Sequence, residues 1–305
     1  AVHRPTLVAG GGKLLQAFAA WLVARPQNAL IGLVATLLLP LPGLLGVVSS
    51  MIVVLLIMTH GWRRAAMQVA VAGGVLVAVA LVVGFAVPVL AELMALFWVP
   101  ALLLGALLRK TRSLTLSMQV SVIFAIAALT AFYVVVPDPI AFWEPRVAEE
   151  AEAMMASGFE LRTELLELEY MTVSAVLMGW TIGTTGFLLG YGVYRKLPAE
   201  TAEFGRFRNL NFGRVIAFVV ALVSLLAIVV DAARLKNVAP LLFVIFWLQG
   251  LAIVHYMHAQ QLIPIHVLVA VYVLLPLLQV LIVTVLAIIG YMDAWFDFRR
   301  RMIKA

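Results

Sequence analysis

The chain has 305 residues, 65% of them hydrophobic and only 12% charged, with a mean hydropathy of +1.11, whereas an ordinary soluble domain is about 45–50% apolar and about 25% charged. A soluble body of this size cannot hide that much apolar surface, so a soluble enzyme and a nucleic-acid-binding domain are excluded and a polytopic membrane protein is indicated. The lack of cysteine excludes disulfides, thiolate metal sites and Cys nucleophiles, and the 21 basic and 15 acidic residues, net +6, are unevenly spread.

Residues 1–12 hold Arg4, Pro5 and a glycine triplet, with no early apolar run ahead of a cleavage site. No signal peptide is expected, and Ala1 reads as the residue left by removal of an initiator Met. Residues 13–25 are apolar all round, with Lys13 and Arg25 at the ends. At about 20 Å this helix is too short to span a bilayer and reads as an interfacial helix anchored by Trp21. Ala29–Leu39 and Leu44–Thr59 form a tight pair around Pro40-Leu-Pro42-Gly43. Spans over Ala65–Ala86 and Leu90–Leu108 turn near Pro88, and Leu114–Val136 crosses once more.

Between Pro137 and Tyr170 nine acids stand against two bases, which leaves this loop at −7 and the rest of the chain at +13. Leu161, Leu165 and Leu168 recur at helical spacing and predict an amphipathic helix over Val147–Tyr170, either solvated or laid on the bilayer edge or a partner. Met171–Tyr194, Val215–Val230 and Pro240–Met257 follow as spans. Residues 262–296 would make about 52 Å of continuous helix, too long for one span, and are expected as two arms hinged near Pro276.

The turns near 60–64, 109–112, 195–214 and 299–304 are basic and fall on one side, which the positive-inside rule assigns to the cytoplasm. About ten crossings then leave both termini cytoplasmic in a bacterial inner membrane, at the cost of placing Arg234 and Lys236, beside Asp231, outside. The expected fold is all-α, a polytopic transmembrane helical bundle. Its parts are a cytoplasmic N-terminus and interfacial helix (1–26), a first transmembrane helix group (27–136), an acidic extracytoplasmic helical loop (137–170), a second transmembrane group (171–298) and a basic cytoplasmic tail (299–305). The basic excess fits anionic membrane lipids and not nucleic acid.

Polar groups at membrane depth are costly and mark candidate sites. Gln249 lies mid-span in Trp247-Leu-Gln-Gly250, Gln119 in the span after the second basic turn and Gln279 in the last arm; Glu92 and Asp231 lie near span ends. Each such Gln either joins helices or reads a polar ligand. As helix glue, Gln249 replaced by Leu is expected to cost about 1 kcal/mol or less. His255 and His258 sit at i, i+3 with His266 beyond, a spacing that suits a shared metal, but no carboxylate or Cys is near them in sequence, and no metal or other cofactor is expected. The ligand-binding candidates are Gln249, Gln119 and His255. Gly179, Gly183, Gly186 and Gly190 form two GxxxG units on one helix face, where small residues admit a close neighbour. No soluble catalytic constellation appears, so no catalytic residue is assigned and no enzyme is expected.

Three stretches carry a resemblance: the interfacial helix leading to Gly61-Trp-Arg-Arg64, the span Phe246-Trp-Leu-Gln-Gly-Leu-Ala-Ile-Val-His255, and the closing Gly290-Tyr-Met-Asp-Ala-Trp-Phe-Asp-Phe-Arg-Arg-Arg301. Together they resemble the YybS-like family of bacterial inner-membrane proteins. The resemblance implies a fold similar to the S-components of energy-coupling-factor transporters, which bind a small molecule and rely on a separate ATPase chain. S-components have fewer spans than this chain, and no vitamin-binding motif carries over. In the closing motif Asp293 and Asp297 are spaced i, i+4, Trp295 is an interfacial anchor, and Asp297 reaches Arg300 or Arg301. Asp293, Trp295, Asp297 and Arg299 therefore either lock a helix end at the interface or dock a partner.

Two functions follow. A membrane-embedded binding or transport subunit requires a central cavity lined by polar groups such as Gln249. A non-transporting structural or assembly subunit, joined to a membrane protein partner or a second copy, requires a filled core.

Overall fold

The computed structural model describes residues 8–39, 42–158, 167–197, 204–230, 239, 241 and 243–302. It is 88% helical, and no strand occurs among the described residues. Among the described residues thirteen helices are delimited, in order: α1 (Val8–Ala24), α2 (Pro26–Leu38), α3 (Pro42–His60), α4 (Trp62–Val83), α5 (Val87–Thr111), α6 (Leu114–Val135), α7 (Pro139–Ala156), α8 (Met171–Tyr194), α9 (Gly213–Val230), α10 (Trp247–Ala259), α11 (Ile265–Leu277), α12 (Gln279–Phe296) and the short α13 (Phe298–Met302). Five described helices are long and apolar enough to cross a bilayer, or six if the bent α1–α2 pair is one span; Leu44–His60, Gly213–Leu226 and Ile265–Leu277 are shorter apolar helices.

The breaks follow local chemistry. Pro26 opens α2, and α1 meets it at 114°, so the two apolar segments do not fuse into one rod. α1 already begins at Val8 and takes the glycine triplet into the helix, five residues before the expected start. The turn expected near Pro88 lies earlier. Gly84, in the left-handed conformation at φ +72°, ends α4, and Pro88 sits inside the first turn of α5, where its missing N–H costs nothing. α6 starts behind Ser113, whose Oγ accepts from the Leu116 N–H at 3.2 Å. The long apolar stretch 262–296 divides at Leu278, two residues after Pro276.

The acidic loop is corrected in its boundaries. Its helix, α7, starts at Pro139 and not Val147, because Asp138 caps it by accepting from the Ala141 N–H at 3.0 Å. Leu161 and Leu165 lie outside the described residues, and Leu168 belongs to a 3₁₀ turn, Leu168–Tyr170. Asp231, Arg234 and Lys236 also lie outside the described residues.

The contacts divide the chain into two compact units, residues 1–118 with 179–205 and residues 119–178 with 206–305. In the first, α3 is the central helix: Met51 through Met58 are all buried, as expected of a helix apolar on every face. Ser50 Oγ donates to Phe97 O at 2.8 Å, and Trp98 Nε1 donates to Ser49 Oγ at 2.7 Å, which fixes α3 against α5. Arg109 Nη1 donates to Ile57 O at 2.8 Å and also to Met58 O, closing the carbonyl end of α3. Leu114 N donates to Phe204 O at 2.7 Å. Gly61, Arg109, Arg112 and Phe204 thus gather at one end of this unit.

In the second unit the tightest contact is the crossing of α10 and α12. A Cβ on Gly250 would collide with Leu286 O, and one on Gly290 would collide with Phe246 O and lie 2.7 Å from Gly250 N. Backbone meets backbone there, and only glycine at both positions allows it.

Candidate functional site

The crossing of α10 and α12 carries the strongest concentration of buried polar chemistry. Gln249 on α10 and Asp293 on α12 are both 0% exposed. Gln249 Nε2 donates to Asp293 Oδ2 at 2.9 Å, and Gln249 Oε1 accepts from the Phe212 N–H at 2.7 Å. Arg299 Nη2 pairs with the same Asp293 Oδ2 at 2.7 Å, and its Nη1 donates to Arg208 O at 3.2 Å. Asp293 Oδ1 is buried with no hydrogen-bond partner.

Backbone geometry makes the ion pair. α12 ends at Asp297, which takes the left-handed conformation at φ +48°. Asp tolerates that conformation better than most residues. The reversal sends α13 back so that Arg299, 8% exposed, reaches Asp293 six positions earlier. A carboxylate in a site this dry needs such a partner.

Gln119 joins from α6. Its Nε2 donates to Phe212 O at 3.0 Å, so two glutamines hold the N–H and the carbonyl of one residue. Gly213, at φ +83°, then turns the chain into α9, and Asn211 Oδ1 accepts from its N–H at 2.8 Å. The segment 206–213, with its 3₁₀ turn Phe207–Asn209, is therefore tied down by residues from three helices. Phe212 packs edge-on to Phe246 at 5.6 Å, and Phe246 edge-on to Tyr291 at 5.4 Å, which covers the polar groups with aromatic surface.

The other candidates fall as follows. His255 does not join this network; its Nε2 shares a hydrogen bond with Tyr272 Oη at 2.8 Å, linking α10 to α11, and its ring meets Phe207 edge-on at 5.3 Å. His258 Nδ1 bonds to Ile263 O at 3.2 Å, and His266 is exposed. Among the described residues no three His, Cys, Asp or Glu are placed to hold a metal ion. Gln279 and Glu92 are exposed.

In the closing motif Asp293 and Arg299 are buried inside the chain's own second unit, where their pair locks the helix end. Asp297, at the left-handed turn that ends the helix, pairs with Arg300 at 3.4 Å, as its i, i+3 spacing implied. Trp295 is half-buried and packs edge-on to Tyr291 at 6.2 Å.

The glycine face of α8 lies in the first unit. A Cβ on Gly179 would sit 3.3 Å from Leu96 Cδ1, and one on Gly183 would sit 3.2 Å from Pro100 Cβ, both on α5. On Gly186 it would overlap Ser50 Cβ, and on Gly190 it would sit 2.7 Å from Met51 O and Val54 Cβ, all on α3. The face is filled by neighbours within this chain.

Sequence reasoning missed the Asp293–Arg299 pair because their spacing of six matches no helical period. The available signal was the Asp at 297, a residue type that permits a reversal. It also missed Ser49 and Ser50, which read as two small residues in an apolar run.

No curated protein and no solved structure matches the chain. Residues 145–294, just under half of its length and most of the second unit, match the family described as "Predicted membrane protein (DUF2232)". The chain is a helical membrane protein whose second half is similar to that family.

Proposed function

We propose that this chain is a non-transporting, non-enzymatic structural or assembly subunit of a larger complex in the bacterial inner membrane, with both termini cytoplasmic. One observation carries the reading: Gln249, the polar group best placed to line a central cavity, is fully buried and bonded at both ends of its amide by Phe212 and Asp293. A group so engaged is a fastener of helices, and a filled polar core suits a rigid subunit better than a binding chamber.

A binding or transport subunit is the second reading, and one atom favours it. Asp293 Oδ1 is a buried acceptor without a donor, and a buried ionisable group in a membrane protein is a functional candidate. The resemblance to YybS-like proteins and S-components supports this reading by analogy of fold alone, and any ATPase would be a separate chain.

Purification in mild detergent, followed by native mass spectrometry, separates the two. The assembly reading expects a second protein at fixed stoichiometry or a stable homo-oligomer. A monomer carrying one defined small molecule would overturn it in favour of the second.

A further inference from the structure

A groove in the first unit points to a lipid. Pro26, Gln27 and Leu30 of α2 and Met67, Gln68 and Val71 of α4 line an open groove of about 260 Å³. That is below the about 300–1,000 Å³ of sites that engulf a small molecule. Its wall is aliphatic and thioether surface, with Met67 64% and Val71 53% exposed at its rim. Such a slot suits one flexible hydrocarbon chain.

Charge stands at one end of it. Arg64 precedes Met67 and Gln68 by three and four positions, and Arg63 precedes Met67 by four, so both stand over the groove about one turn, or about 5 Å, nearer the basic end. Arg25 adjoins Pro26 across the bend. All three are exposed, and among the described residues no carboxylate pairs with them. Gln68 carries a buried Oε1 with no hydrogen-bond partner, which a hydroxyl-bearing headgroup satisfies once the side chain turns toward it. Leu14, Phe18 and Trp21 form an exposed apolar stripe on α1, with the Phe18 and Trp21 rings stacked at 6.1 Å. α1 then meets α2 at 114°. The groove therefore opens where the chain turns from an interfacial helix into a deeper one.

We propose that this groove is a specific site for an anionic phospholipid, one acyl chain lying along Leu30, Met67 and Val71 and the phosphate held by Arg63 and Arg64, with Arg25 beside them. Aliphatic lining recruits the chain by burial, and guanidinium groups recognise phosphate oxygens in pairs. The inference is independent of the proposed function.

The test is native mass spectrometry of the delipidated full chain re-incubated with phosphatidylglycerol or phosphatidylcholine. One phosphatidylglycerol is expected to stay bound at collision energies that strip phosphatidylcholine. Arg63→Gln and Arg64→Gln should each lower its retention about fivefold. Met67→Trp should abolish retention by filling the slot while the arginines remain. Val71→Trp fills the same slot and serves if Met67→Trp is not monodisperse. Arg300→Gln with Arg301→Gln, in the other unit, should change nothing. Equal retention of the two lipids, parent-like retention in the groove variants, or equal losses in the Arg300/Arg301 control would each overturn the proposal.

Discussion

Gln249 shows how far one side chain's partners change its expected energetics. Read as ordinary interhelical glue in a membrane, its replacement by Leu costs about 1 kcal/mol or less. In the structure its amide serves a buried N–H on one side and a buried carboxylate on the other. Gln249→Leu strands the Phe212 N–H, at about 1–3 kcal/mol, and leaves Asp293 Oδ2 to Arg299. Asp293→Leu or Arg299→Met leaves one charge alone and should cost about 3–5 kcal/mol. The double variant Asp293→Leu/Arg299→Met removes both charges and should recover much of that loss. Reversible unfolding in mixed micelles measures the cycle, and additive single losses would show that the pair is not coupled.

At the scale of elements, glycines divide into those that touch and those that do not. Gly250→Ala and Gly290→Ala drive a methyl into the carbonyls of Leu286 and Phe246, and Gly190→Ala into Met51 O and Val54. These variants should lose most folded protein, read as the monodisperse fraction after a heat step in detergent. A Cβ on Gly74 or Gly192 meets nothing within 4 Å, and Ala there should be neutral or stabilise by up to about 1 kcal/mol, since glycine in a helix interior is unfavourable. Parent-like heat resistance in Gly250→Ala would deny the close crossing. The GxxxG repeat made the α8 face legible in the sequence, because its glycines share one side of one helix. The Gly250–Gly290 contact was not legible. Each is a lone glycine in its own helix, and only the tertiary crossing pairs them. Helix α7 was legible as a helix but not in its start, since Asp138-Pro139 is a cap-and-first-turn signal that outranks the leucine spacing further on.

For the whole molecule, the apolar composition and the spacing of basic turns made the all-α membrane fold readable, because hydrocarbon forces every backbone group into helix. Arg109 closing α3 beside the 60–64 turn, and Arg299 reaching Arg208, bring basic segments together within each unit. The acidic segment, with Asp138, Glu144, Glu149, Glu150 and Glu152 on or beside α7, belongs to a different kind of surface. Reporter fusions at residues 155 and 303 should therefore report opposite sides of the membrane, with 200 on the side of 303. The same signal at 155 and 303 would break the charge-based topology. The candidate site was only half readable: Gln249 and Gln119 stood out as polar groups in apolar runs, but their common target, the backbone of Phe212, has no side-chain signature.

Because α10 and α12 meet backbone to backbone at Gly250 and Gly290, no side chain cushions them at that crossing. A tilt of one is a tilt of the other, and the polar ties at Phe212 and Arg208 carry the 206–213 segment along. The pair behaves as a stiff lever about 27 Å long, the length of α12. With Asp297 breaking the helix before Arg299, the Asp293–Arg299 pair is what ties the end of that lever to the basic tail.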